Sequence, residues 1–103
     1  MVNSVKEVEG QEGFEKEIAE GEVVVQFHAT WCQPCKQLAP RFAAASDRSS
    51  IRFARVDVDE LPQATIIEYG IMSVPTLLMF RDGKAVKRIT GRTANDILSE
   101  VEE

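Results

Sequence analysis

A nearly continuous apolar, β-branched run, Glu22-Val23-Val24-Val25-Gln26-Phe27-His28-Ala29, dominates the first third of the chain. It lacks the alternation of a half-exposed strand, so it predicts a strand covered on both faces, central in a sheet. Before it, Val2 to Val8 alternate loosely, as a short edge strand would, and Gly10-Gln11-Glu12-Gly13 break the pattern. Phe14, Ile18 and Ala19 then recur at helical spacing with Glu15, Lys16, Glu17 and Glu20 outward, which predicts an amphipathic helix over about Gln11 to Glu20, stopped by Gly21. After the run, Cys32 to Asp47 reads as a helix with Leu38, Phe42 and Ala45 near one face. Pro34 falls in its first turn, where a missing N–H costs nothing, while Pro40 lies inside and is expected to kink it.

Ile51 to Asp59 returns to strand character after Arg48-Ser49-Ser50, so the two strands and the helix between them form a crossover unit with parallel strands. Asp59 is expected to cap a third helix running to about Tyr69, with Ile66 and Ile67 inward and Gly70 ending it. Thr76 to Phe80 is a further strand, joined through the hairpin signal Arg81-Asp82-Gly83-Lys84 to Ala85 through Thr90. Gly91 breaks the chain, and Thr93 caps a last helix through Val101, burying Ile97, Leu98 and Val101. The order β-α-β-α-β-α-β-β-α predicts an α/β three-layer sandwich, a central mixed β-sheet with helices on both faces, as one domain over residues 1–103.

Composition narrows the function classes. The 103 residues are enough for one core, burying roughly 60–70% of the surface the unfolded chain would expose. A net charge of −5 with scattered Lys and Arg speaks against a nucleic-acid or anionic-membrane surface, which needs clustered cations. No apolar run is long enough to span a membrane, and acids stand near the start where an export signal would be apolar. A cytoplasmic protein is the expectation.

The chain's two cysteines stand in Trp31-Cys32-Gln33-Pro34-Cys35. A ring this small constrains almost none of the unfolded chain, so the pair is no general stabiliser. It is a redox couple that can close and reopen. At the start of a helix that follows a buried strand, the first sulfur is held exposed at the strand's C-terminal edge, where open α/β sheets keep their sites. Unpaired N–H groups and the positive helix end face it and favour its thiolate. Cys32 is then the nucleophile and Cys35, one turn inward, the resolving thiol. Lys36, at i+4 from Cys32, reads mainly as a solvated helix lysine that adds modest favourable charge.

These residues resemble the thioredoxin family, and the resemblance covers essentially the whole chain. It rests on the apolar strand, the Trp31-Cys32-Gln33-Pro34-Cys35 stretch, Pro40, Ile71-Met72-Ser73-Val74-Pro75-Thr76, the Asp82-Gly83 hairpin and Gly91. The resemblance implies a thioredoxin fold and a reductase of protein disulfides. It further implies a cis-proline at Pro75 facing the cysteines, with Trp31, Ser73, Val74, Pro75 and Gly91 edging a substrate groove. By the same resemblance electrons come from NADPH through a thioredoxin reductase, the partners are disulfide-containing proteins and that reductase, no metal or other cofactor is held, and the chain is a monomer.

Four positions that tune the cysteines depart from the family pattern. Gln33 stands where Gly is usual, between the cysteines beside Pro34, where the dipeptide adjusts the redox poise. Gln26 stands where most members bury an aspartate behind the second cysteine; an amide takes up no proton at neutral pH, so Cys35 would lose its proton to water or to the departing substrate thiolate. As a buried amide it is expected to be satisfied by hydrogen bonds. Arg55 replaces a lysine beside that aspartate and needs another partner, Asp57 or solvent. His28, where tryptophan is common, is either a titrating neighbour that stabilises the thiolate or an imidazole packed near the active-site loop.

Three other readings stand beside the reductase. CxxC is half of a zinc site, but the chain offers three Cys and His in all, one short of a structural site unless it dimerises. Gln26 and Gln33 leave room for a binding adaptor with little turnover, and the same fold supports disulfide oxidases and isomerases.

Overall fold

The computed structural model describes residues 5–102. In chain order the elements are β1 (Val5–Val8), α1 (Gly10–Ile18), β2 (Glu22–His28), α2 (Gln33–Asp47), β3 (Arg52–Asp57), a 3-10 turn (Val58–Glu60), α3 (Gln63–Glu68), β4 (Thr76–Arg81), β5 (Lys84–Ile89) and α4 (Ala94–Val101). The strands form one sheet in the order β1-β3-β2-β4-β5. β1 and β2 run parallel to β3, whereas β2–β4 and β4–β5 are antiparallel, so the sheet is mixed and β2 is central as its composition predicted.

The sheet's two faces account for the apolar pattern of β2. Val23, Val25 and Phe27 face one layer with Phe14 and Ile18 of α1, Leu61 and the partly buried Ile66 and Tyr69. Val24 faces the other, with Leu38, Phe42 and Ala45 of α2 and Ile97, Leu98 and Val101 of α4. A strand covered on both sides needs apolar residues at every position, which is why alternation is missing. Asp82 and Gly83 have φ of 51° and 88° and close the β4–β5 hairpin with the left-handed conformations a tight two-residue turn requires.

Several local expectations are corrected. Of the expected edge strand, Val5–Val8 is a strand, and Val2 to Ser4 lie outside the described residues. α1 starts at Gly10 and ends at Ile18; Ala19 is exposed, while Glu17, expected outward, is buried. The reason is electrostatic: Lys6 and Arg52 from the neighbouring strands bring their cations to the Glu17 carboxylate at 3.3 and 2.9 Å. Asp59 caps no helix. Asp57 instead accepts the Asp59 N–H at the head of the 3-10 turn, and α3 begins only after Pro62, whose ring nitrogen carries no N–H to continue the preceding turn. That restart changes the helical phase, so Ile66 is half-buried and Ile67 is 68% exposed rather than inward. α2 covers Gln33–Asp47 with Pro40 inside it, and Cys32, expected as its first residue, is its cap.

The topology sets up the site. β4 returns antiparallel to β2 with Thr76 paired to Phe27, so Pro75 arrives beside the C-terminal end of β2, where α2 begins.

Candidate active site

Cys32 caps α2: its sulfur accepts the Cys35 N–H at 3.2 Å and its carbonyl accepts the Lys36 N–H at 3.3 Å. The Cys32 N–H in turn donates to the Ala29 carbonyl at 3.1 Å, which turns the chain from strand into helix. Cys32 and Cys35 are joined as a disulfide, with Cα atoms 5.3 Å apart. A backbone donor aimed at Cys32 Sγ stabilises negative charge there once the bond opens. Cys35 is sealed among core residues. Cys32, expected exposed, is only 4% exposed in this disulfide form, because Val58 and Val74 pack against the pair. Its sulfur lies 3.6 Å from the Val74 carbonyl oxygen.

The peptide bond between Val74 and Pro75 is cis, and both residues are half-buried beside the disulfide. Ser73 is exposed, and its carbonyl accepts the Thr76 hydroxyl at 2.7 Å. Trp31 is 68% exposed and its indole N–H donates to Asp59 Oδ2 at 2.9 Å. Between Trp31, Leu61, Ile66, Met72 and Val74 opens a groove of about 350 Å³. Its apolar walls and proximity to Cys32 suit it to an extended polypeptide.

Gly91 stands on the other side of Pro75, in the loop before α4. A Cβ there would lie 2.6 Å from Asp96 Cβ, so glycine is required by close packing on α4. Glu100 anchors the same loop, accepting the Thr90 and Gly91 N–H groups at 2.9 and 2.6 Å.

The tuning residues divide. Gln33, Pro34 and Lys36 are exposed on the outer side of the first turn of α2. Gln26 is 0% exposed on the α2 face of β2, and neither amide atom meets a protein hydrogen-bond partner, which corrects the expectation of a satisfied amide. The register explains it: Gln26 lies between Leu77, which offers no polar atom, and Arg55, whose guanidinium turns to Glu7 on β1. Arg55 therefore pairs with Glu7, neither with Asp57 nor with solvent alone. His28 is buried with Nε2 3.7 Å from Glu7 Oε1, beyond hydrogen-bond length. Burial, helped by the Arg55 charge, holds its pKa below the ordinary histidine value against the opposing pull of Glu7 and Asp57. The shift favours the neutral imidazole.

Sequence reasoning gives no role to Glu7 and Glu100, which read locally as surface acids, and it reads Asp59 as a helix cap rather than the partner of Trp31; only strand register and loop packing reveal these contacts. Among the described residues no three of His, Cys, Asp and Glu converge as metal ligands, and no helix is long and apolar enough to cross a membrane.

The thioredoxin family model matches residues 4–103. A thioredoxin of Chlamydia trachomatis is 40% identical over 93 residues, covering 89% of this chain and 90% of the relative. One from Listeria monocytogenes is 40% identical over 90 residues, covering 85% and 86%. Among solved structures, the oxidised thioredoxin of Plasmodium falciparum superposes with a TM-score of 0.81 at 33% identity, covering 96% of each chain. A mutant thioredoxin of Halobacterium salinarum gives 0.79 at 32% identity, covering 96% of this chain and 88% of its own. With its mixed-sheet sandwich and its Cys32–Cys35 pair, the chain belongs to the thioredoxin family and is a thiol–disulfide oxidoreductase that reduces protein disulfides.

Proposed function

We propose that Cys32 is the attacking thiol and Cys35 the resolving one in a two-step exchange. The observation that supports this order is the Cys35 N–H donated to Cys32 Sγ at the mouth of the groove, while Cys35 itself sits beneath. In the reduced protein the Cys32 thiolate attacks one sulfur of a substrate disulfide. The substrate S–S bond breaks, one substrate thiolate leaves, and a mixed disulfide forms. Cys35 then loses its proton to water or to the departing thiolate, because Gln26 behind it holds no acid or base. Its thiolate attacks Cys32 Sγ, expelling the second substrate thiolate and closing the protein disulfide. Two electrons have passed from the dithiol to the substrate.

Trp31, Ser73 and Val74 line the groove that holds the substrate segment, Pro75 and Gly91 bound the segment's path beyond it, and Gln33, Pro34 and Lys36 adjust the poise of the couple from its outer face. The cycle is completed by a thioredoxin reductase drawing on NADPH, with the protein acting as a cytoplasmic monomer. Trapping tests the order of attack. Incubated with an insulin-type disulfide substrate, Cys35→Ser accumulates a covalent adduct through Cys32, whereas Cys32→Ser accumulates none and is inert in turnover. The opposite pattern would reverse the assignment.

A further inference from the structure

A second cleft, about 220 Å³, lies on the α2 side of Pro75 and is lined by Pro34, Gln37, Leu38, Arg41, Pro75 and Arg92. Its two arginines come from different elements, Arg41 from α2 and Arg92 from the loop before α4. Of the other five arginines, Arg52, Arg55 and Arg81 meet the carboxylates of Glu17, Glu7 and Glu22, while Arg48 donates to the Asn95 amide and Arg88 to the Gly70 carbonyl. Arg41 and Arg92 face no carboxylate among the described residues, and unlike Arg48 and Arg88 they line one cleft together. Arg92 donates only to the carbonyls of Gly91 and Pro75, at 3.0 and 3.4 Å, which steadies its guanidinium beside the active-site proline and leaves its charge uncompensated. The nearby Glu100 carboxylate is engaged by the Thr90 and Gly91 N–H groups.

We propose that this cleft receives a carboxylate of the bound substrate, so that the protein prefers disulfides in acidic segments. The inference rests on the reductase assignment and names the substrate class of that same site. A segment lying along Cys32 and Pro75 has apolar walls on its Trp31 side, where the one lining acid, Asp59, is occupied by the indole. On its other side it meets two unpaired guanidiniums. Planar forks of N–H donors match a Glu or Asp side chain, and charge complementarity at a partly open site acts mainly on encounter and partner choice. With both arginines solvent-exposed the discrimination is modest, about fivefold.

The test uses the pre-reduced full chain in single turnover with three peptides of the same disulfide, flanked by Glu, Gln or Lys. Rate constants are compared as ratios within each protein, so that general losses cancel. The wild type should reduce the Glu peptide about fivefold faster than the Gln peptide, with the ratio shrinking at high salt. Arg41→Gln/Arg92→Gln should bring the ratio to about one, and Arg41→Glu/Arg92→Glu should favour the Lys peptide. A wild-type ratio of one, or a Glu preference that survives in the double Gln variant, overturns the proposal while leaving the reductase assignment intact. Failure of the wild type to reduce any of the three peptides would overturn both.

Discussion

Gln26 presents the sharpest energetic test in the structure. It is fully buried between Arg55 and Leu77 in the sheet, and both polar atoms of its amide lack a protein partner. A buried amide stripped of water and left unpaired costs about 1–3 kcal/mol. Gln26→Met removes the amide while keeping an unbranched side chain of similar reach that adapts to the space. Slight misfit offsets part of the gain, since volume-conserving swaps in cores cost up to about 1.5 kcal/mol. A net stabilisation of about 1 kcal/mol is expected, which for a urea m-value of about 2 kcal/mol/M raises the unfolding midpoint by about 0.5 M. Urea unfolding of the oxidised wild type and variant at pH 7 measures it directly. A midpoint unchanged or lowered, with m the same, would mean that the amide is satisfied in solution and that the reasoning from its orphaned atoms is wrong.

His28 should make the fold sensitive to mild acid. Its pKa is lowered in the folded state, so the unfolded chain takes up a proton first as pH falls. Its contribution is fully present above about pH 6.5 and is lost as pH drops from there through the folded value, with a slope of at most about 1.4 kcal/mol per pH unit. Denaturant midpoints measured between pH 7.5 and 5 should fall more steeply for the wild type than for His28→Gln, and parallel curves would refute the burial argument. At Gly91 an added methyl would meet Asp96 Cβ at 2.6 Å, so Gly91→Ala should destabilise by about 1–3 kcal/mol in thermal unfolding. Wild-type stability in that variant would show that the loop yields freely and that the tight packing on α4 is not what demands glycine.

The elements legible in the sequence were those whose signal is local. The apolar run of β2, the Asp82-Gly83 hairpin and the Thr93 cap of α4, whose hydroxyl accepts the Asp96 N–H at 3.1 Å, each carry their instruction within a few residues. The cysteine pair is legible for the same reason, since the strand-to-helix turn that holds it is written in adjacent residues. Glu17 defeated the reading because an acid at a helical position says nothing about cations arriving from two other strands. The third helix was misplaced because Asp57 and Asp59 are equivalent as caps on local grounds, and Pro62 decides between a continuous helix and a turn followed by a restart.

The tuning of the site was illegible for a related but deeper reason. Parallel pairing aligns Glu7 with Arg55 and Arg55 with Gln26, so residues 19 and more positions apart share one row on one face of the sheet. In that row the guanidinium has a choice of neighbours, and a carboxylate outbids a neutral amide because its hydrogen bonds are charge-assisted. Arg55 thus turns to the edge strand, and Gln26 is left unpaired beneath α2. The same turn brings Glu7 to 3.7 Å from His28 and sets the Arg55 charge against protonation of the imidazole. One carboxylate on the edge strand therefore sets the pairing of Arg55 and leaves Gln26 without a partner, while at His28 it opposes the larger effect of burial. With the ionised pair drawn to the edge, the centre of the sheet face under α2 holds the unpaired Gln26 amide, which neither takes up nor releases a proton at neutral pH.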